Sequence, residues 1–239
     1  MNIVNQSANR FFDYCDLGMI DYQLAWNLQK EVFDLRYRNE INDTLFLLEH
    51  THTYTLGKIA EKENLVSTQE QLIDLGIKVY EIDRGGDITY HGPGQIVGYP
   101  IINLSEWKED THQYLRGLEE VIIRTCSDYN LEAGRNPKYT GVWIGDKKIA
   151  AIGIKVSRWI TMHGFAFNVN TDLSYFSGII PCGIKDKDVT SLKRELGNDV
   201  DLTEVKSKLA NNFKIVFEYK NFITTEKNMY LKEFEKISL

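Results

Sequence analysis

Cysteine is scarce in this chain, and the three that occur, Cys15, Cys126 and Cys182, are an odd number lying far apart. Neither a disulfide framework nor a zinc pair of the CxxC or Cys/His kind fits that spacing, and the five histidines show no paired spacing. Long apolar runs are missing too: no stretch approaches the roughly 20 residues that span a bilayer. The opening MNIVNQSANRFFDYCD has no basic start followed by an apolar core, so no secretory signal is expected and the cytoplasm is the expected compartment. Nor is there an excess of positive charge. A net charge of −6 disfavours a general nucleic-acid binder, whose Lys and Arg must displace counterions from phosphates. It still allows a local basic patch facing an acidic partner.

What is present suits an ordinary globular protein, 43% hydrophobic and 26% charged. We expect one domain over residues 1–239, with its core at about 20–217 and a modest terminal addition. Repeats, low-complexity segments and linkers are absent. Leu24, Leu28, Val32 and Leu35 predict an amphipathic helix over 21–40, with Gln29, Glu31 and Arg36 on its polar side. The run Thr44–Glu49 has strand length. Ser67 and Glu70 have capping-box spacing for a second helix closed by Gly76, and Ile77–Ile82 is strand-like. Residues 84–94 hold four of the 17 glycines, which predicts a binding loop with freely directed N–H groups. A strand over 96–102 and a helix over 109–128 follow, the latter with Leu115, Leu118, Ile122 and Cys126 on one face. Residues 139–156 predict a hairpin turning at Gly145 and Asp146, and 159–169 a further strand. The last helix, 202–217, carries Val205, Leu209, Phe213 and Val216 on its buried side; the tail from Glu218 is charged and weakly patterned. Helices and hairpins mix without βαβ alternation, so the expected class is α+β.

Among the thiols, Cys126 lies on an apolar helix face, where a structural role is usual. Cys15 sits in a polar N-terminal segment with nothing near it to activate it. Cys182 follows an apolar run and Pro181 and precedes Gly183, which reads as an exposed bend where a thiolate has access.

The run RGGDITYHGPGQ at 84–95 resembles the signature of the lipoyl/octanoyl transferase family. LEH at 48–50 with YTLG at 54–57, GVW at 141–143 with KIAAIG at 148–153, HGFA at 163–166 with NVN at 168–170, and PCG at 181–183 with TSL at 190–192 match in family order. The resemblance implies a mixed β-sheet flanked by helices, like the catalytic domain of biotin- and lipoate-protein ligases. It also implies transfer of an octanoyl group from octanoyl-acyl carrier protein, the donor, to a lysine of a lipoyl domain. Acceptors so implied are lipoyl domains of 2-oxoacid dehydrogenase E2 subunits and the glycine cleavage H protein. Neither cofactor nor metal is implied, and neither nucleic acid nor membrane.

Carried over by motif, Cys182 holds the acyl group as a thioester and Lys148 lowers its pKa. Lys147 is the neighbouring rival, but on a strand the two point to opposite faces. The resemblance assigns the acyl pocket to three stretches: Arg84, Gly85, Gly86, Asp87, Ile88, Thr89, Tyr90 and His91; Ala151, Ile152 and Gly153; and Gly164, Phe165 and Ala166. Gly86, Gly153 and Gly164 are expected to make room for the chain, with Ile88 and Phe165 lining it. Backbone N–H groups around Gly85 and Gly86, or Gly183, are oxyanion candidates. A phosphate-cradle reading of the loop fails, because GxxxxGK[ST] is absent and Asp87 would repel phosphate. His91 is expected to fix the loop or the carbonyl and His163 to act likewise; His50, His52 and His112 are expected to be structural or solvated. Thr51, His52 and Thr53 stand where the family often has prolines, which loosens the turn expected there. Lys58, Lys62, Arg135 and Lys138 are the expected basic patch. Three rival readings are an ATP-dependent lipoate-protein ligase, a thiol hydrolase using His91 or His163 as base, and a non-catalytic module that binds carrier protein or lipoyl domains.

Overall fold

Strands that are buried on both faces read as near-continuous apolar runs and belong at the centre of a sheet. Three segments of the chain behave this way in the computed structural model, which describes residues 10–180 and 188–231. In chain order the elements are β1 (Phe11–Ile20), α1 (Tyr22–Tyr37), β2 (Asp43–His50), β3 (Thr53–Leu56), α2 (Gln69–Asp74), β4 (Lys78–Glu81), β5 (Ile88–His91) and β6 (Gln95–Ile101). There follow α3 (Thr111–Ser127), β7 (Gly134–Arg135), β8 (Val142–Ile144), β9 (Lys147–Ser157), β10 (Ile160–Asn168), α4 (Leu192–Leu196), α5 (Leu202–Val216), β11 (Asn221–Thr224) and α6 (Lys227–Leu231). The fully covered strands β2, β6 and β10 are neighbours in an eight-stranded sheet of order β11-β1-β2-β6-β10-β9-β8-β7. Strand β1 runs parallel to β2 and β11, and the remaining pairs are antiparallel. A second sheet, β4-β3-β5, carries the glycine-rich signature. The mixed α+β architecture matches the expectation.

Side-chain alternation gives the large sheet two packed apolar faces. Leu45, Leu47, Ile96, Phe165 and Phe167 pack under α3 and α5 with Leu118, Ile122, Leu209 and Phe213. Phe46, Leu48, Val97 and Ala166 face the other way, with Ala25, Leu28 and Val32 of α1.

Several local expectations need correction. The N-terminal segment with Cys15 is strand β1, where Cys15 is fully buried and burial pushes its thiol up to about 11. The charged tail supplies β11 alongside β1, so the sheet extends beyond both ends of the expected core. On α1 the buried face is rotated: Leu24 is exposed, whereas Gln29 and Arg36 are buried. Both have tertiary partners that periodicity cannot show, although the side-chain amide nitrogen of Gln29 has no hydrogen-bond partner among the described residues. Gln29 accepts from the His163 N–H at 2.8 Å, and Arg36 bonds Asp43 at 2.8 Å. The capping box of α2 is formed by Thr68 and Gln71, one residue after Ser67 and Glu70. The turn before Tyr54 is firm without proline, since Thr53 is fully buried and donates to the Thr51 carbonyl at 2.9 Å.

Candidate active site

The glycine-rich run is only partly loop: Ile88–His91 form β5, paired with β3. It covers the α1 side of the large sheet where β9 and β10 carry small residues. Between them lies a cavity of about 380 Å³. Arg84, Gly85, Gly86, Asp87, Ile88, Thr89 and His91 line it from the signature, and Ala151, Ile152, Gly153, Gly164, Phe165 and Ala166 from the sheet. Lys148 and His163 also reach it. Tyr90 does not: alternation along β5 turns it to the opposite side, into the apolar cluster of the small sheet.

The glycines of the wall do something other than leave room for a ligand. A Cβ on Gly164 would stand 2.2 Å from the Gly98 carbonyl, and one on Gly153 2.9 Å from both Arg84 Cδ and the Gly85 carbonyl. Protein atoms already fill those gaps, so these positions allow strand and loop to close on one another.

The lysine pair shows how local irregularity selects a side chain. Ala151 and Gly153 face the cavity, and strict alternation would bring Lys147 to the same side. Along β8 and β9, however, Val142 pairs with Ala150 and the next residue, Trp143, with Lys148, so β9 carries one extra residue at Ile149. This bulge reverses the parity. Lys148 therefore points inward, 9% exposed, with its ammonium 4.9 Å from the centre of the Trp143 ring. Lys147 points outward and pairs with Glu195 at 3.2 Å. The backbone of Lys148 holds a further segment, donating to the Asp188 carbonyl at 2.9 Å and accepting from the Thr190 N–H at 2.9 Å. Cys182 and Gly183 lie outside the described residues.

Buried polar groups of the cavity wall are paired in series. His50 donates from Nδ1 to the Ile20 carbonyl at 2.9 Å, so its Nε2 accepts from the Tyr99 hydroxyl at 2.7 Å. Tyr99 in turn bonds the hydroxyl of Tyr22. His91 donates from Nδ1 to Gln95 at 2.8 Å; Gln95 donates to Asn168 at 3.0 Å, and Asn168 to the Thr190 carbonyl at 3.0 Å. Burial pushes His50 down to about 4 and His91 well below the usual histidine range. Burial also lowers His163, although its Nε2 donates to Asp83 at 2.8 Å. That hydrogen bond is the chief reason the Asp83 carboxyl is held well below the carboxylate range. Arg84 reaches away from the cavity floor to the Thr55 carbonyl and hydroxyl at 2.8 and 2.9 Å. Tyr22, Gln95, Val97, Tyr99 and Asn168 escaped the sequence reading as wall residues; the Val97/Tyr99 alternation on β6 is the one signal that points to two of them.

The remaining thiol, Cys126, is fully buried and pushed up to about 12. Of the expected basic patch, Lys62 pairs with Glu81 and Arg135 with Glu119 and Glu120. Lys138 lines the cavity mouth beside Tyr139 and the exposed Ile59. No helix among the described residues is long and apolar enough to cross a membrane.

One covered face of the mixed sheet thus holds an inward lysine beside a partly apolar cavity. Residues 21–214 match the lipoyl protein ligase A/B catalytic domain, and the chain belongs to that family. A relative from Caldicellulosiruptor saccharolyticus, named octanoyltransferase, is 51% identical over 89% of this chain and 92% of its own length. Another of that name, from Rubrobacter xylanophilus, is 53% identical over 83% of this chain and 90% of its own. In fold the chain is similar to the bipartite lipoate protein ligase of Thermoplasma acidophilum, with TM-score 0.72 at 18% identity over 95% of this chain and 93% of that one. A lipoate-protein ligase A bound with ATP gives TM-score 0.71 at 16% identity, covering 95% of each chain.

Proposed function

We propose that this protein is an octanoyltransferase that carries the acyl group on Cys182, with Lys148 as the proton partner of that thiol. The observation that supports the assignment best is the bulge at Ile149, which turns Lys148 and not Lys147 into the cavity. An ammonium close to a thiol favours the thiolate. The Cys182 thiolate attacks the thioester carbonyl of octanoyl-acyl carrier protein, the new C–S bond forms, and the carrier thiolate leaves. That thiolate takes the proton of Lys148, and the lysine becomes neutral. The amine of the acceptor lysine then attacks the acyl-enzyme, gives its proton to Lys148, and expels the Cys182 thiolate. The starting charges are restored. One thioester replaces another in the first half, and amide formation drives the second, so ATP has no role.

Gly85 already donates its N–H to Ile154 at 2.9 Å, which leaves the Gly86 amide or that of Gly183 for the oxyanion contact. Lipoyl domains of 2-oxoacid dehydrogenase E2 subunits and of the glycine cleavage H protein are the proposed acceptors, in the cytoplasm. Single-turnover transfer from octanoyl-acyl carrier protein tests the reading. An octanoyl adduct on Cys182 that passes to a lipoyl domain without ATP is expected; transfer that requires ATP would favour a ligase instead.

A further inference from the structure

Tyr90 stands inside the signature yet faces away from the cavity, which raises the question of what it holds. Its ring plane is within 20° of parallel to that of His52, and the two are joined by a 2.9 Å hydrogen bond between the Tyr90 hydroxyl and His52 Nδ1. Tyr175 lies flat over this pair, 4.2 Å from His52 and 5.2 Å from Tyr90, tilted by only 13° and 7°. Phe176 meets Tyr90 edge-on at 5.3 Å. Tyr175 and Phe176 belong to the 3-10 turn Leu173–Gly178, whose last carbonyl accepts from the N–H groups of Val66 and Ser67 at 3.0 Å. The turn runs into Ile180, which donates to the Asn64 carbonyl at 2.8 Å; Asn64 in turn donates to Asp87 of the signature at 2.7 Å. Pro181 and Cys182 are the next residues in the sequence.

The other face of β5 holds the segment that begins at Asp188. There the series His91, Gln95, Asn168 ends on the Thr190 carbonyl, and Thr190 itself is bonded to the backbone of Lys148. One short strand thus fixes the chain on both sides of the cysteine's place in the sequence. Alternation divides the work, with Tyr90 serving the upstream side and His91 the downstream side.

We propose that Tyr90 is a positioning residue: by stacking on Tyr175 it fixes the turn leading into Cys182, and it makes no contact with the acyl chain. This inference rests on the reading of Cys182 as nucleophile. A signature tyrosine that lined the pocket would act on acyl binding, whereas one that positions the turn acts on the rate of acyl-enzyme formation.

A double-mutant cycle separates the two. Tyr90→Leu, Tyr175→Leu and the double variant are compared by single-turnover acylation with octanoyl-acyl carrier protein, by the pH profile of iodoacetamide labelling mapped to Cys182, and by calorimetric binding of free octanoate. Each single change should slow acylation by about ten-fold or more, since a displacement of about an ångström at a reacting group has costs of that order. Octanoate binding should stay within about two-fold, and the double variant should be no slower than the worse single one, as expected of residues acting through each other. Tyr90→Phe keeps the stack and should restore most of the rate. Tyr175 is only half-buried, so its variant reads the same stack even where Tyr90→Leu folds poorly. Independent, multiplying effects, or weaker octanoate binding in Tyr90→Leu with Tyr175→Leu unaffected, would overturn the proposal. Acylation of Tyr90→Leu and Tyr175→Leu at the unaltered rate would overturn it alone, while absence of a Cys182 adduct in the unaltered enzyme would strike the parent reading.

Discussion

Along β10, Phe165 and Phe167 point under α3 and α5, although Phe165 also borders the cavity that its neighbours Gly164 and Ala166 face. The first face is filled by large aliphatic and aromatic side chains. The second carries small residues, buried histidines and tyrosines, and an inward lysine. Adjacent residues of one strand therefore answer to different demands: dense packing on one side, and on the other a polar lattice in which each member has to be hydrogen-bonded to be tolerated. Both faces carry a packed core, and only the α1 face adds the cavity, so on the proposed reading substitutions in the α3/α5 core and at the cavity should separate stability from chemistry.

The largest effect is expected on the cavity face. Lys148→Met removes an opposite charge that commonly displaces a thiol titration by one to three units, so Cys182 alkylation at neutral pH should slow roughly ten- to a thousand-fold. Urea unfolding should move little. Lys147→Met loses a partly exposed ion pair with Glu195, worth ~0.2–1 kcal/mol, and should leave the alkylation profile in place. Equal profiles for the two variants would dissolve the distinction made by the bulge. Lys148→Arg keeps the charge without readily deprotonating, so acylation should survive in part while transfer to the acceptor fails.

On the packed face the pattern should invert. Phe213 is fully buried against Phe12 and Phe217, and Phe213→Ala should cost ~3–5 kcal/mol in denaturant unfolding. The kcat/KM of the folded fraction should be unchanged. A selective loss of turnover in this variant would show that the faces are not independent.

His50 sharpens the comparison through pH. Burial lowers it from 6.5 to about 4, so the folded state resists a proton that the unfolded chain accepts. Its contribution is complete above about pH 6.5 and is lost as pH falls toward 4, a swing of ~3 kcal/mol by linkage. His50→Gln should be destabilised at pH 7, with the gap to the unaltered protein closing by pH 4.5. A gap that is constant with pH would show that His50 is not buried neutral. The smallest effect concerns the rim. If Lys138 and its neighbours meet an acidic carrier protein, the Michaelis constant should rise as salt shortens the screening length from ~10 Å at 0.1 M, and less so in Lys138→Ala.

The sequence made most strands and long helices legible because their period was unbroken. The hairpin at Gly145 and the apolar face of α3 are examples. What escaped it was phase and parity. Buried Gln29 and Arg36 mimic a polar helix face because their partners lie on distant segments. The hairpin joining β9 to β10 turns through Arg158 and Trp159, both at positive φ and neither a glycine, so no turn residue announced it. Within the site, the motifs located the stretches that meet at the cavity. They could not tell which face of β5 Tyr90 takes, and only the extra residue at Ile149 makes Lys148 compatible with Ala151 and Gly153 on one side.

The central claim is that Cys182 carries the acyl group, and intact mass with peptide mapping after brief incubation with octanoyl-acyl carrier protein tests it most directly. Cys15 and Cys126 are buried with raised titrations, so Cys15→Ser and Cys126→Ser should still gain one octanoyl group on Cys182. Cys182→Ser should gain no thioester and should transfer nothing to a lipoyl domain. An octanoyl thioester on the Cys182→Ser protein, or undiminished transfer by it, would contradict the account.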